Sequence, residues 1–234
     1  MQWIEGLWQK RYKRFFVDVW VPSLEKTVTA HCPNTGPMRG LGYEGQRVWI
    51  RYVDDPKRRL AYTLEAMEDQ GSFVGVNTHL PNTLIGKSWH NLPFSHKDDE
   101  VKREVKVEQS RLDFWASSSQ RPSFYLEVKN VHLKRGKWSL FPDTTTQRGA
   151  KHLKTLIDLK HQGHDVALVY VVQREDCTYM DVARDLDPVY STLWDQAREQ
   201  GVQCWAFPCH VQPDRATITL KTTPLPLVKE GDIS

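Results

Sequence analysis

Arg111-Leu112-Asp113-Phe114 and, after a short polar stretch, Tyr125-Leu126-Glu127-Val128-Lys129 read as two strands whose alternation decides how the second half of this chain folds. Successive side chains of a strand point to opposite faces. Leu112, Phe114 and Ala116 then share one side of the first segment, opposite Arg111 and Asp113; in the second, Phe124, Leu126 and Val128 oppose Tyr125, Glu127 and Lys129. The intervening Ser117-Ser118-Ser119-Gln120-Arg121-Pro122 is polar and ends in proline, as turns do. A hairpin folded about Gln120 sets Asp113 opposite Glu127. A slip of one residue would turn one apolar set to water, so the pattern favours the register in which Asp113, Glu127 and Lys129 gather.

Two carboxylates a few ångströms apart repel unless a cation lies between them, and Mg²⁺ (or Mn²⁺) takes one or two carboxylates, a backbone carbonyl such as that of Val128, and waters. Lys129, on the same face as Glu127, would hold a water in line with a phosphorus while the metal polarises a phosphoryl oxygen. Those are the parts of a phosphodiester hydrolase. An Asp followed on the next strand by Glu-x-Lys resembles the core motif of the PD-(D/E)xK nucleases. The competing reading is a set of solvated cross-strand ion pairs. Glu104, shortly before the hairpin, is a candidate third carboxylate or one more charge in an alternating Lys/Glu stretch. Asp143 suits a helix N-cap.

Working outward, residues up to about 80 read as strands and turns: Leu7 to Val21, Thr27 to Cys32, Gln46 to Val53 and Leu60 to Val76, punctuated by Pro33-Asn34-Thr35-Gly36-Pro37 and Gly40-Leu41-Gly42. Five short strands with glycine-rich corners fit a small Greek-key barrel. A helix is expected from about Asn82 to Trp89, then a charged passage, the hairpin, a strand from Lys137, a helix whose capping box is Thr144-Thr145-Thr146-Gln147, a buried strand over Val166 to Val172, a helix from Leu186 to Gln200 and two late strands. Thr222 to Ser234 is expected to be a partly disordered tail. Strands and helices in this order predict an α/β sandwich after the barrel, with domains at residues 1–82 and 83–234.

The chain has 234 residues and a net charge of only +3, so nucleic-acid binding has to rest on local basic patches. One is Lys10-Arg11-Tyr12-Lys13-Arg14, which interleaves cations with rings and is followed by Phe15-Phe16; its alternative is a solubilising edge strand. Four cysteines show no paired spacing, no segment has the layout of a signal peptide, and the longest apolar run is too short to cross a bilayer; a cytoplasmic protein without a membrane role is expected. Cys204, Cys209 and His210 read as structural. His31, Cys32, Asn34 and Thr35 read as a structured turn at the domain junction, with Asn34 placed to touch nucleic acid.

Arg11-Tyr12-Lys13-Arg14-Phe15, His31-Cys32-Pro33-Asn34-Thr35-Gly36-Pro37-Met38, Val76-Asn77-Thr78, Ser110-Arg111-Leu112-Asp113-Phe114, Leu126-Glu127-Val128-Lys129-Asn130-Val131, Phe141-Pro142-Asp143 and Thr146-Gln147-Arg148-Gly149-Ala150-Lys151-His152-Leu153 occur in one order over most of the chain. In that order they resemble the sugar fermentation stimulation protein A (SfsA) family. The resemblance implies an N-terminal OB-like barrel that binds DNA and a C-terminal PD-(D/E)xK nuclease-like domain. Two departures, Leu112 where the wider superfamily often has proline and Thr144 where the family commonly has Ala, leave the proposed ligands untouched. With the resemblance, Arg148 and His152, four apart on one helix face, become phosphate contacts alongside Arg111. The expectation is a Mg²⁺-dependent DNA nuclease, with RNA and a homodimer left open. The alternative is a non-cleaving DNA-binding regulator of sugar (maltose) metabolism genes.

Overall fold

The computed structural model of the protein describes residues 2–119 and 121–232, so the turn expected about Gln120 lies outside the described residues. The N-terminal third forms β1 (Trp3–Tyr12), β2 (Phe16–Val21), β3 (Lys26–His31), β4 (Arg47–Tyr52), β5 (Tyr62–Asp69) and β6 (Ser72–Gly75). They pair in the order β3-β2-β1-β4-β5-β6, and a short parallel pairing of β3 with β5 closes the first five into an OB-like barrel. Closure depends on β1 serving two neighbours: Trp3 to Leu7 pair with β4, and Leu7 to Tyr12 pair with β2. Near the changeover a Cβ on Gly6 would lie 2.4 Å from Val19 Cγ1 and 2.8 Å from the Trp20 carbonyl oxygen, so only glycine lets β2 come this close. Val17, Val19, Ala30, Val48, Ile50, Leu64 and Met67 fill the interior.

A helix, α1 (Leu80–Ser88), leads out of the barrel with a proline in its first turn, where the missing N–H costs no helical bond. The expected domain boundary after residue 82 falls inside it. Next come β7 (Glu100–Val107), β8 (Ser110–Ser118), β9 (Arg121–Val131), β10 (Leu133–Arg135) and β11 (Trp138–Phe141). Then follow α2 (Gln147–His161), β12 (Asp165–Val172), β13 (Tyr179–Val182), α3 (Pro188–Glu199), β14 (Gln203–Gln212) and β15 (Thr217–Leu220). One sheet runs β15-β14-β12-β9-β8-β7, with β9, β12 and β14 parallel and the outer pairings antiparallel. β12 sits at its centre and is buried from Val166 onward, as its apolar run predicts. Leu153, Leu156, Tyr190 and Trp194 from α2 and α3 cover one face. Leu84 and Ile85 from α1, with Trp89 just beyond its end, cover the other, where Trp3, Trp49 and Ala66 of the barrel join the same core. The result is an α/β sandwich whose apolar core is continuous with the barrel. A second, three-stranded sheet, β10-β11-β13, is built from segments too short to show a sequence period.

Several local expectations change. Leu112 packs in the α2 core and not beside Phe114 and Ala116, because the alternation of β8 breaks at Asp113. The α2 cap is Thr146, whose Oγ1 accepts the Gly149 N–H at 3.0 Å, so Gln147 is the first helical residue and no capping box forms from Thr144. Thr146→Ala is expected to cost about 1 kcal/mol in a chemical denaturation curve. Asp143 caps nothing; it accepts the Met38 N–H at 3.2 Å and lies 3.4 Å from His132 Nε2, fastening the 34–38 loop to the second domain. The tail is docked as far as it is described: Leu225 and Val228 donate backbone bonds to Ala206 and Met180, and Trp138 Nε1 donates to the Val228 carbonyl. Ile233 and Ser234 lie outside the described residues.

A buried arginine bolts the halves together. Arg174 donates to Asp69 of β5 at 2.8 Å, to the His132 carbonyl at 3.0 Å and to both oxygens of Asp176. Burial would raise the Asp176 pKa, yet the bonds from Arg174 and Lys134 hold it down at about 2. A depressed carboxylate stabilises the fold above its unfolded pKa and loses that contribution as pH falls through the folded value. Asp176→Asn should therefore melt below wild type at pH 7, with the difference disappearing by about pH 2 in an acid melting series.

Candidate active site

The β8 and β9 ladder runs as far as Phe114 opposite Leu126, and Asp113 and Glu127 are the next residues in that register. Beyond it the strands part. The Val128 N–H, which would have bonded to β8 backbone, goes to Asp113 Oδ2 at 2.7 Å, and Glu104 across the next strand has φ +56. Asp113 Oδ1 accepts Asn82 Nδ2 of α1 at 2.6 Å. Glu127 is buried beneath α2, where its Oε1 accepts Lys129 Nζ at 2.6 Å and is bonded to His152 Nδ1; Lys129 Nζ lies 3.4 Å from the same ring nitrogen. The polar face of the hairpin is thus covered by a helix, and its groups are buried partners of one another, unlike a solvated row of ion pairs.

Electrostatics separates the two acids. Burial, and then the neighbouring Glu127 charge, push the Asp113 carboxyl up to about 6 against the two donors that stabilise its anion. For Glu127 burial acts in the same direction, but Lys129 and His152 overcome it and hold the group below the usual carboxylate range. Glu127 Oε2 is buried with no protein hydrogen-bond partner. An anionic oxygen left this way is costly unless a cation or water meets it. That oxygen, Asp113 beside it and the Val128 carbonyl make a donor set suited to a hard divalent cation, which keeps several waters when few carboxylates are available. Among the described residues no group of three or more His, Cys, Asp and Glu side chains is arranged to hold a metal.

Comparison with known proteins places the chain. Residues 10–76 match the family described as the SfsA N-terminal OB domain, and residues 79–215 match that of the sugar fermentation stimulation protein RE domain. The sugar fermentation stimulation protein homolog of Bartonella tribocorum is 42% identical over 206 residues, covering 86% of each chain; that of Agrobacterium fabrum is 40% identical over 213, covering 89% of each. The chain belongs to the sugar fermentation stimulation protein family. The fold agrees with the solved structure of Pyrococcus furiosus SfsA in complex with Ca²⁺ at a TM-score of 0.86 and 24% identity, covering 97% of this chain and 96% of that one.

In this SfsA-family chain the other candidate residues fall into three groups. Glu104 and Arg111 are exposed and stand 3.9 Å from each other, outside the cluster that Asp113 and Glu127 form. His152, expected on a phosphate, is buried and engaged with Glu127, while Arg148, one turn earlier on α2, is exposed. Arg11 is also turned to a structural use: its guanidinium donates to the carbonyls of Arg14, Asn34 and Gly36 at 2.6 to 3.0 Å. Asn34 is buried and accepts the Gly36 N–H at 2.9 Å, shaping the loop and facing no solvent. Lys10, Lys13 and Arg14 remain exposed, Lys10 lies 3.7 Å from Asp18, and Tyr12 stacks on Phe16 with ring centroids 5.4 Å apart. Lys13, Arg14, Thr35 and Gly36 line a cleft of about 450 Å³ that Thr144 of the second domain completes. Asn82 figures in the sequence only as the start of a helix, because it lies 31 residues from Asp113 with no pattern to connect them. His210, directly after Cys209, bonds Glu175 at 2.6 Å and among the described residues joins no metal-holding cluster.

Proposed function

We propose that this protein is a divalent-metal-dependent nuclease that hydrolyses phosphodiester bonds of DNA, or of RNA by the same chemistry, in the cytoplasm. The observation that carries it is the buried, unpartnered Glu127 Oε2 beside an Asp113 whose ionisation burial and Glu127 oppose. Asp113, Glu127 and the Val128 carbonyl would hold Mg²⁺ or Mn²⁺. Bound there, the ion would act as a Lewis acid on a phosphoryl oxygen and lower the pKa of a water. Lys129, held by Glu127, supplies a positive charge for orienting the attacking water and meeting charge that develops at phosphorus. His152 keeps the Glu127 carboxylate ionised and in place, and Asn82 does the positioning for Asp113. Arg148 at the exposed end of α2, with Lys13 and Arg14 across the junction cleft, offers cations to the phosphate backbone. The Ca²⁺ in the Pyrococcus furiosus complex is a property of that protein and is compatible with an oxygen-rich site of this kind.

A second reading, a DNA-binding regulator that does not cut, is favoured by one feature: both oxygens of Asp113 and one of Glu127 are already bonded within the protein. The two separate in a filter-retention and cleavage assay run together. The nuclease gives metal-dependent products; the regulator retains DNA equally in EDTA and in Mg²⁺, falling steeply with salt, and gives none.

A further inference from the structure

The barrel carries a second cleft that the hydrolytic site does not use. It has a volume of about 400 Å³ and is lined by Phe15, Phe16, His31, Arg58, Arg59 and Leu60. Phe15 is 47% exposed and is the only exposed phenylalanine among the described residues. Arg59 is exposed, with its guanidinium carbon 5.8 Å from the centroid of the Phe16 ring. Arg58 is held upright by a 2.8 Å bond to Thr63 Oγ1. Among the described residues no acidic side chain forms an ion pair with Arg58, Arg59, Lys13 or Arg14, and nearby Asp55 accepts the Lys57 backbone N–H at 2.9 Å. The cleft therefore joins an apolar floor to a rim of cations free of ion pairs. Partial burial and then Arg58 and His79 lower the His31 pKa.

We infer that this cleft receives an unpaired base of single-stranded nucleic acid, stacked on Phe15 and flanked by Arg59, while the adjoining strand lies across Lys13 and Arg14. The charge selects a polyanion, and the exposed ring beside a guanidinium selects a flat aromatic group. A base in an intact duplex is already stacked and cannot supply that group without being extruded. Phe15 directly follows the Lys13-Arg14 turn, whose other side lines the junction cleft with Thr144. A strand anchored by a base at Phe15 thus passes over the turn toward α2. This specifies the nucleic-acid partner of the proposed function and rests on its DNA-binding part only, not on metal or hydrolysis.

The test is fluorescence anisotropy in EDTA, where nothing is cut, with a labelled oligothymidine and a duplex of the same length. The proteins are wild type, Phe15→Ala, Arg59→Ala, Phe15→Tyr and, as a control outside the cleft, Tyr43→Ala. Wild type is expected to prefer the single strand. Phe15→Ala should weaken single-strand binding about ten-fold or more, Arg59→Ala less, and Phe15→Tyr should restore it, while duplex binding changes little. Because Phe15 and Arg59 are exposed, melting curves should coincide with wild type. Equal affinity of wild type for both substrates overturns the inference, as does Phe15→Ala binding oligothymidine like wild type. So does a Phe15→Ala change in sedimentation, which would make the cleft a contact between copies. Lys129→Ala in the same titration should bind as wild type, so a failed hydrolytic reading and a failed base-binding cleft give different results.

Discussion

Lys129→Ala and Asp113→Ala should each lower single-turnover DNA cleavage by about a thousand-fold or more while leaving affinity for DNA in EDTA within two-fold of wild type. The magnitude follows from position. Lys129 Nζ is largely buried and held by Glu127 at 2.6 Å, so its charge acts in a region where water screens little. Asp113 lies beside Glu127, and its loss would leave a cation at this place with the Glu127 carboxylate. Glu127→Ala removes the other carboxylate and also strips Lys129 and His152 of their shared acceptor. It should lose activity as fully and melt lower, which makes it the less informative variant. His152→Gln, able to donate to Glu127 without a ring, separates positioning from structure: a loss in turnover with unchanged melting marks the positioning role. The Lys129 and Asp113 result is read by gel under single-turnover conditions.

Asp113→Asn should make the metal-free protein more stable at pH 8, by on the order of 1 to 3 kcal/mol, although it removes a group on which activity depends. Burial, and then the Glu127 charge, push the Asp113 carboxyl up to about 6 in the folded protein, from an ordinary value of 3.8. A carboxyl raised in the folded state binds its proton more tightly there than in the unfolded chain. Its ionisation therefore costs stability in a way that is absent below about pH 4, grows as pH rises through 6 and is constant above. An asparagine stays neutral throughout. Its oxygen can accept the Val128 N–H, and a flip of the Asn82 amide lets that side chain accept from the new nitrogen, so both hydrogen bonds survive the exchange, the one to Asn82 with its direction reversed. The gain should shrink to nothing near pH 4 in urea denaturation with EDTA present. Adding Mn²⁺ at pH 8 should raise the wild-type melting temperature and leave Asp113→Asn unmoved, because binding to the native state alone is stabilising. An Asp113→Asn protein less stable than wild type at pH 8 would show that the two acids are not in electrostatic conflict.

Much of this was legible in the sequence because strand alternation is a strict code. The polar parity of Tyr125, Glu127 and Lys129, and a register centred on Gln120, were enough to bring Asp113 beside Glu127 in chain order. The apolar run of β12 likewise declared a central strand. Alternation does not say what covers a face. The polar side of the hairpin reads as exposed until α2 is laid over it, and that packing turns His152 from a phosphate contact into a partner of Glu127. Nor does composition say which cations are free. Arg11 sits in a run of basic residues, but the 34–36 loop, more than twenty residues away, presents carbonyls that claim its guanidinium. The neighbouring Lys13 and Arg14 stay exposed because the β1–β2 turn gives both a left-handed φ and lifts them from the barrel. Asn82, and the break in alternation at Leu112, follow from the parting of β8 and β9, which depends on a side chain taking a backbone donor.

The most direct measurement is cleavage by the purified wild-type protein of end-labelled single-stranded, duplex and branched DNA, in Mg²⁺, in Mn²⁺ and in EDTA, beside Lys129→Ala at equal concentration. The account predicts products with at least one of these substrates in Mg²⁺ or Mn²⁺, none in EDTA, and a loss of about a thousand-fold in Lys129→Ala. Binding of DNA without cleavage on every substrate and in either metal, or cleavage that persists in EDTA or in Lys129→Ala, would contradict it.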